Sequence, residues 1–152
     1  MRLAESAQVR LNTQLDCLQV ILAGVSIAAL NRKAAPDKWS AVQNLAHLAR
    51  YHEVFLERLE RIRTEDRPAL ARYSAEADRA WPEWSQLPLD EVQVRLLKLR
   101  RELVAVVREL PESCSSRPAI HSTFGEMNMA LWMEFFLLHE THHLYRVFQL
   151  AR

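Results

Sequence analysis

The chain has 152 residues, 49% of them hydrophobic and 26% charged, with a formal net charge of +1. That size and composition describe one water-soluble globular domain over residues 1–152, long enough to bury a core without disulfides. Twenty basic residues against nineteen acidic ones give no case for nucleic-acid binding, which asks for a strongly basic face.

Only two glycines are present, and Leu, Ala, Arg and Glu dominate. The expected fold class is therefore all-α, with no sheet. The first predicted helix covers residues 3–31. Leu11, Leu15, Leu18, Leu22, Val25 and Ala29 recur along it at three- and four-residue steps. Its apolar run, residues 18–30, is too short to cross a bilayer. It also lies too far from Met1, without a basic start, for a standard secretory signal. It reads as a heavily buried helix, and no membrane association is expected. Cys17 within it reads as a small buried hydrophobe and Cys114 as a loop thiol. Two lone thiols without a CxxC spacing fit a reducing cytoplasm.

The second helix is predicted over residues 40–63, with Ser40 or Asp37 as its cap. Leu45, Leu48, His52, Phe55, Leu59 and Ile62 form its main stripe. Residues 64–89 are a long connection holding Pro68, Pro82 and Pro88, with a short helix expected near 70–80. Such a length suggests a crossover that leaves helices two and three parallel. The third helix is predicted over 90–110, with Asp90 as N-cap. A polar loop at 112–126 follows. The fourth helix, 128–150, is apolar nearly all round and must be mostly enclosed, by the bundle and by a partner subunit. Met127, Met129 and Met133 read as core.

Chemistry concentrates in His139-Glu140-Thr141-His142-His143. Residues four apart stand one above the other on a helix, so His139 and His143 can direct two imidazoles at one cation. The string also matches the zinc-protease pattern, with Glu140 in the general-base place. Those enzymes take a third ligand downstream, and residues 144–152 hold no His, Asp or Glu. A third ligand must come from upstream, where His47, His52 and His121 are the candidates. Periodicity slightly favours His52 as the inward one and does not decide. His142 points about 100° away from its neighbour.

Two stretches resemble the DinB/YfiT-like family of bacterial metal-binding four-helix bundles. One is Lys38-Trp39-Ser40 with His47 eight residues after the tryptophan. The other is Phe124-Gly125-Glu126-Met127-Asn128-Met129 leading into His139-x3-His143. Glu65-Asp66-Arg67-Pro68 also fits one branch, and the likeness runs from about residue 36 to 148. The resemblance implies an up-down-down-up bundle with a crossover between helices two and three. It implies His47, His139 and His143 as metal ligands, with Tyr51, His52, Glu140 and His142 as cavity or supporting groups. His52 departs from the acidic residue that relatives often carry nearby. The expected cofactor is a divalent metal, zinc or nickel. Relatives include thiol S-transferases using low-molecular-weight thiols and proteins called hydrolases, and many pair as homodimers. A small-molecule substrate is the expected partner, and a non-catalytic metal-binding module is the alternative. Ordinary imidazole titration predicts metal release below about pH 6.

Overall fold

The structure, a computed structural model, describes Met1 and residues 3–152. The first segment is α1 (Glu5–Thr13), a 3-10 turn (Gln14–Asp16), α2 (Cys17–Leu22) and α3 (Ile27–Asn31). Three long helices follow: α4 (Ala41–Thr64), α6 (Leu89–Glu109) and α7 (Met129–Leu150), with the single turn α5 (Trp81–Trp84) between α4 and α6.

Two clusters of buried side chains, one at each end of the bundle, fix the helix directions. One end gathers Leu11 of α1, Leu59 of α4, Leu103 and Val107 of α6, and Phe136 of α7. The other gathers Leu18 of α2, Leu45 of α4, Leu96 of α6 and Leu144 of α7. Hence α4 and α6 run parallel, while the first segment and α7 run against them. This is the up-down-down-up arrangement expected from the long second connection. Phe55, Leu59, Trp132 and Phe136 are at most 1% exposed, and each such side chain contributes about 1.5–3 kcal/mol on burial.

Local chemistry sets the helix starts. Ser40 Oγ accepts from Gln43 N and Gln43 Oε1 accepts from Ser40 N, each at 3.1 Å, a reciprocal capping box on α4. Asn128 caps α7 by accepting from Leu131 N at 2.9 Å. Asp90 does not cap α6. Pro88 holds the cap position, and Asp90 and Glu91 sit in the first turn, where negative charge suits the helix dipole.

Four further expectations need correction. The first helix is not continuous. Gly24, at φ +72°, ends α2 in a turn closed by Val25 N donating to Leu22 O at 3.2 Å. Ser26 then caps α3. Nor is the 18–30 run heavily buried, since Val20 is 73% and Ile27 58% exposed. Finally, a small sheet exists. It comprises β1 (Ala69–Leu70), β2 (Pro118–His121) and β3 (Gly125–Asn128). β1 pairs parallel to β2, and β2 antiparallel to β3 with His121 opposite Gly125. No helix covers 70–80, which holds β1 and a 3-10 turn at Ala75–Ala77.

The thiols are both free, with Cys114 buried and Cys17 half-buried, the reverse of the expected order. Met127, Met129 and Met133 are core. The inner face of α7 is enclosed, but Leu131, Leu138 and Tyr145 on its outer face are exposed. Among the described residues, no helix is long and apolar enough to cross a membrane.

Candidate metal centre

His47 comes from the second turn of α4, and His139 and His143 from one face of α7, which packs antiparallel to it. One ligand nitrogen from each ring lies within 4.8 Å of the other two. His47 Nε2 and His139 Nε2 are 3.1 Å apart. Ring centroids lie 4.3 Å apart for His47 and His143, and 4.7 Å for His139 and His143. No other cluster of three or more His, Cys, Asp or Glu donors meets that spacing among the described residues.

The surroundings hold these rings in place. Asn44 lies one turn before His47 on the same face of α4. Its Oδ1 is 2.9 Å from His143 Nδ1, and its amide is oriented because Nδ2 donates to Ser40 O at 2.8 Å. His143 Nδ1–H therefore donates to Asn44, which leaves the Nε2 lone pair free. Trp39 packs on His47 at 4.9 Å between centroids and is itself backed by Trp81 at 4.9 Å. The Tyr51 ring lies 4.2 Å from that of His139.

Burial dominates the electrostatics. Loss of water pushes the His47 ring down to about 4, His139 to about 2 and His143 to about 3. The neighbouring imidazoles add to the shifts of His139 and His143. All three are neutral at pH 7, the form that ligates metal. The expected metal release below about pH 6 must therefore be moved lower, because burial has already removed the competing protons.

The donor set fits a divalent cation. Two Nε2 ligands at about 2.0–2.1 Å from a tetrahedral zinc would be about 3.3 Å apart, close to the 3.1 Å separation of His47 and His139. Without a cation, one proton can bridge these two atoms. The Nδ1 atoms of both rings are buried with no hydrogen-bond partner. Three neutral imidazoles leave coordination positions open, as in catalytic rather than closed structural sites.

A cavity of about 490 Å³ opens beside the histidines. Tyr51 lines it and His142 stands exposed at its rim. His52 and Glu140 do not line it. They belong to a separate buried network in which Arg100 donates to Glu140, to His52 Nε2 at 3.2 Å and to Leu11 O at 2.8 Å. Gln14 Nε2 completes it by donating to Glu140 Oε2 at 2.7 Å. His52 is fully buried, as its periodicity predicts, but its Nδ1 is bound to Leu48 O at 2.7 Å. His121 lies in β2 rather than in a loop. It is 3% exposed and faces the cavity. Two groups escaped the sequence reading, Asn44 and Arg58, and His121, a candidate ligand there, proves to line the cavity without joining the three-histidine cluster. Asn44 had a usable signal in its i−3 spacing from His47, and His121 had one in its alternation with buried Ala119.

These features define a helical bundle with a three-histidine candidate cation site at the edge of a ligand-sized cavity. The sequence matches the profile of the DinB superfamily over residues 10–146, and the chain belongs to that superfamily. Among solved structures it is similar to YfiT from Bacillus subtilis, described as a probable metal-dependent hydrolase with an unusual four-helix bundle topology. The TM-score is 0.83 at 19% identity, over 97% of this chain and 85% of that one. At that identity the likeness establishes the fold. No curated protein matches the sequence.

Proposed function

We propose that this chain is a metal-dependent enzyme that holds one divalent cation, zinc or nickel, on His47, His139 and His143 and serves a small-molecule substrate in the adjoining cavity. The convergence of three neutral imidazoles, one buried and two half-buried, each offering a nitrogen within 4.8 Å of the others, carries the reading. A cation bound there supplies a Lewis acid that lowers the pKa of a coordinated water or thiol. Asn44 fixes the tautomer of His143, and Trp39 and Tyr51 hold the rings and shield them from water. Burial pushes the Tyr51 hydroxyl up to about 12, so it keeps its proton and acts as a hydrogen-bond donor. Hydrolysis is the first reading, supported by the likeness to YfiT. Thiol transfer from a low-molecular-weight thiol is the second. It suits a cavity lined by no carboxylate, where a thiol held as thiolate needs no protein base beyond the exposed His142. The two free thiols suit a reducing, cytoplasmic setting.

Elemental analysis of the wild type beside His47→Ala and His143→Ala tests the site. About one cation per chain is expected in the wild type and little in either variant. Equal metal in all three would end the proposal. Metal-dependent turnover of ester and amide substrates, against conjugation of an electrophile with glutathione, bacillithiol and mycothiol, separates hydrolysis from transfer. A metal-loaded protein inactive on both panels would be a non-catalytic module.

A further inference from the structure

Among the described residues two arginines are buried, and only one has an acid. Arg100, 6% exposed, is paired with Glu140. Arg58, 7% exposed, pairs with no carboxylate among the described residues. It donates to Tyr51 Oη at 2.8 Å and to Ala71 O at 2.6 Å. A guanidinium carries five N–H donors, so these two acceptors leave most of them over. The guanidinium also lies 5.5 Å from the ring centroids of Tyr51 and Trp132. Such contacts soften the burial of a cation without neutralising it.

Arg58 lines the same cavity as His139 and His143, and so does the exposed Arg72. His121 adds a third donor. Its Nδ1 accepts from Thr123 N at 3.0 Å and Phe124 N at 3.2 Å, which places its proton on Nε2. The lining includes the aromatic rings of Tyr73, Phe124 and Phe135, and no Asp or Glu. A volume of about 490 Å³ suits a small organic ligand.

We propose that the cavity selects a small molecule bearing an anionic oxygen group, carboxylate or phosphate, received by Arg58 and Arg72 while its apolar body lies against the aromatic wall. This rests on the cavity being the substrate site of the enzyme proposed above. An anion would supply the acid that Arg58 lacks, through charge-assisted and potentially bidentate hydrogen bonds. The ligand thus has two ends: an anionic end at the arginines and a reacting end toward the histidines.

Calorimetric titration with benzoate and phenyl phosphate, against the neutral benzamide, tests this on zinc-loaded and on chelator-treated wild-type protein, with metal content measured on each sample. Both anions should bind about ten-fold or more tightly than benzamide in both states, and the tighter anion identifies the group preferred. Arg58→Gln should erase most of that preference and leave benzamide unchanged. Arg72→Ala, a surface change that leaves the core intact, should weaken both anions about three-fold and decides the matter if Arg58→Gln does not fold. Anions that bind no better than benzamide overturn the proposal. So does binding that disappears with zinc and ignores both substitutions, although that result leaves the metal site standing. Anion selectivity in a protein that takes up no metal would support the arginine site and sink the metal reading alone.

Discussion

Acid should unfold the metal-free protein over a narrow range, because four imidazoles, two buried and two half-buried, are held in the neutral state. Burial holds His47 near 4, His52 and His143 near 3 and His139 near 2, against about 6.5 in the unfolded chain. Below pH 6.5 the unfolded state therefore binds more protons than the folded one, and stability falls as pH falls. The penalty is absent above pH 6.5 and accumulates until the folded-state values are reached. Each ring contributes about 1.4 kcal/mol per pH unit, so four give about 5 kcal/mol per unit. Glu140 has the opposite sign in this window, since burial raises its carboxyl against the pull of Arg100 and Gln14, and it offsets at most one of the four. A domain stable by about 5–15 kcal/mol should thus lose its fold within about one to three units below pH 6.5. Urea unfolding of chelator-treated protein, followed by circular dichroism from pH 7.5 to 4.5, reads the slope directly. His47→Ala should remove about a quarter of it. Zinc at a thousand times its dissociation constant should add about 4 kcal/mol and move acid unfolding downward by about one unit. A urea midpoint that stays flat between pH 7 and 5 would refute the reasoning.

Other substitutions probe single links. Asn44→Ala should weaken metal binding about 10- to 100-fold in a competition titration while the helical spectrum is unchanged. Arg100→Leu strands Glu140 in the core and should cost about 3–5 kcal/mol in urea unfolding. Gly24→Ala meets no atom within 4 Å, so only its φ of +72° is at stake, and a loss of about 1 kcal/mol is expected.

The α4 and α7 boundaries were legible because their caps are written locally: Ser40 with Gln43 three residues on, and Asn128 directly before the apolar run. The first segment misled because its three- and four-residue spacing continues across the break at Gly24 and the Ser26 cap. Periodicity reports which face is apolar and not whether the backbone is continuous. The small sheet lay below what alternation can detect, since β1 has two residues and β2 and β3 four each. At the site, the i, i+4 pair on α7 was readable from spacing. The choice between His47 and His52 was not, because both are buried and each has its own polar partners. Spacing within one helix carries no record of which residue of α6 or α7 will meet it. The likeness to the family pointed to His47, and the packing of α7 against α4 brings that ring to the pair.

The same packing separates two chemistries that one string, His139-Glu140-Thr141-His142-His143, leaves superposed. A step of one residue turns the side chain by about 100° around α7. His139 therefore faces the cavity while Glu140, fully buried, turns toward Arg100 and Gln14 of the bundle interior. A carboxylate held by those two donors is committed to joining α7 to α6 and to the first segment, and it has no path to a substrate. The general-base role that the string suggests is thus closed by its location. The charges lining the cavity are those of Arg58 and Arg72, with Glu76 acting on His47 from outside that lining, and a cavity lined in this way is suited to binding and orienting an anion rather than to drawing a proton from it.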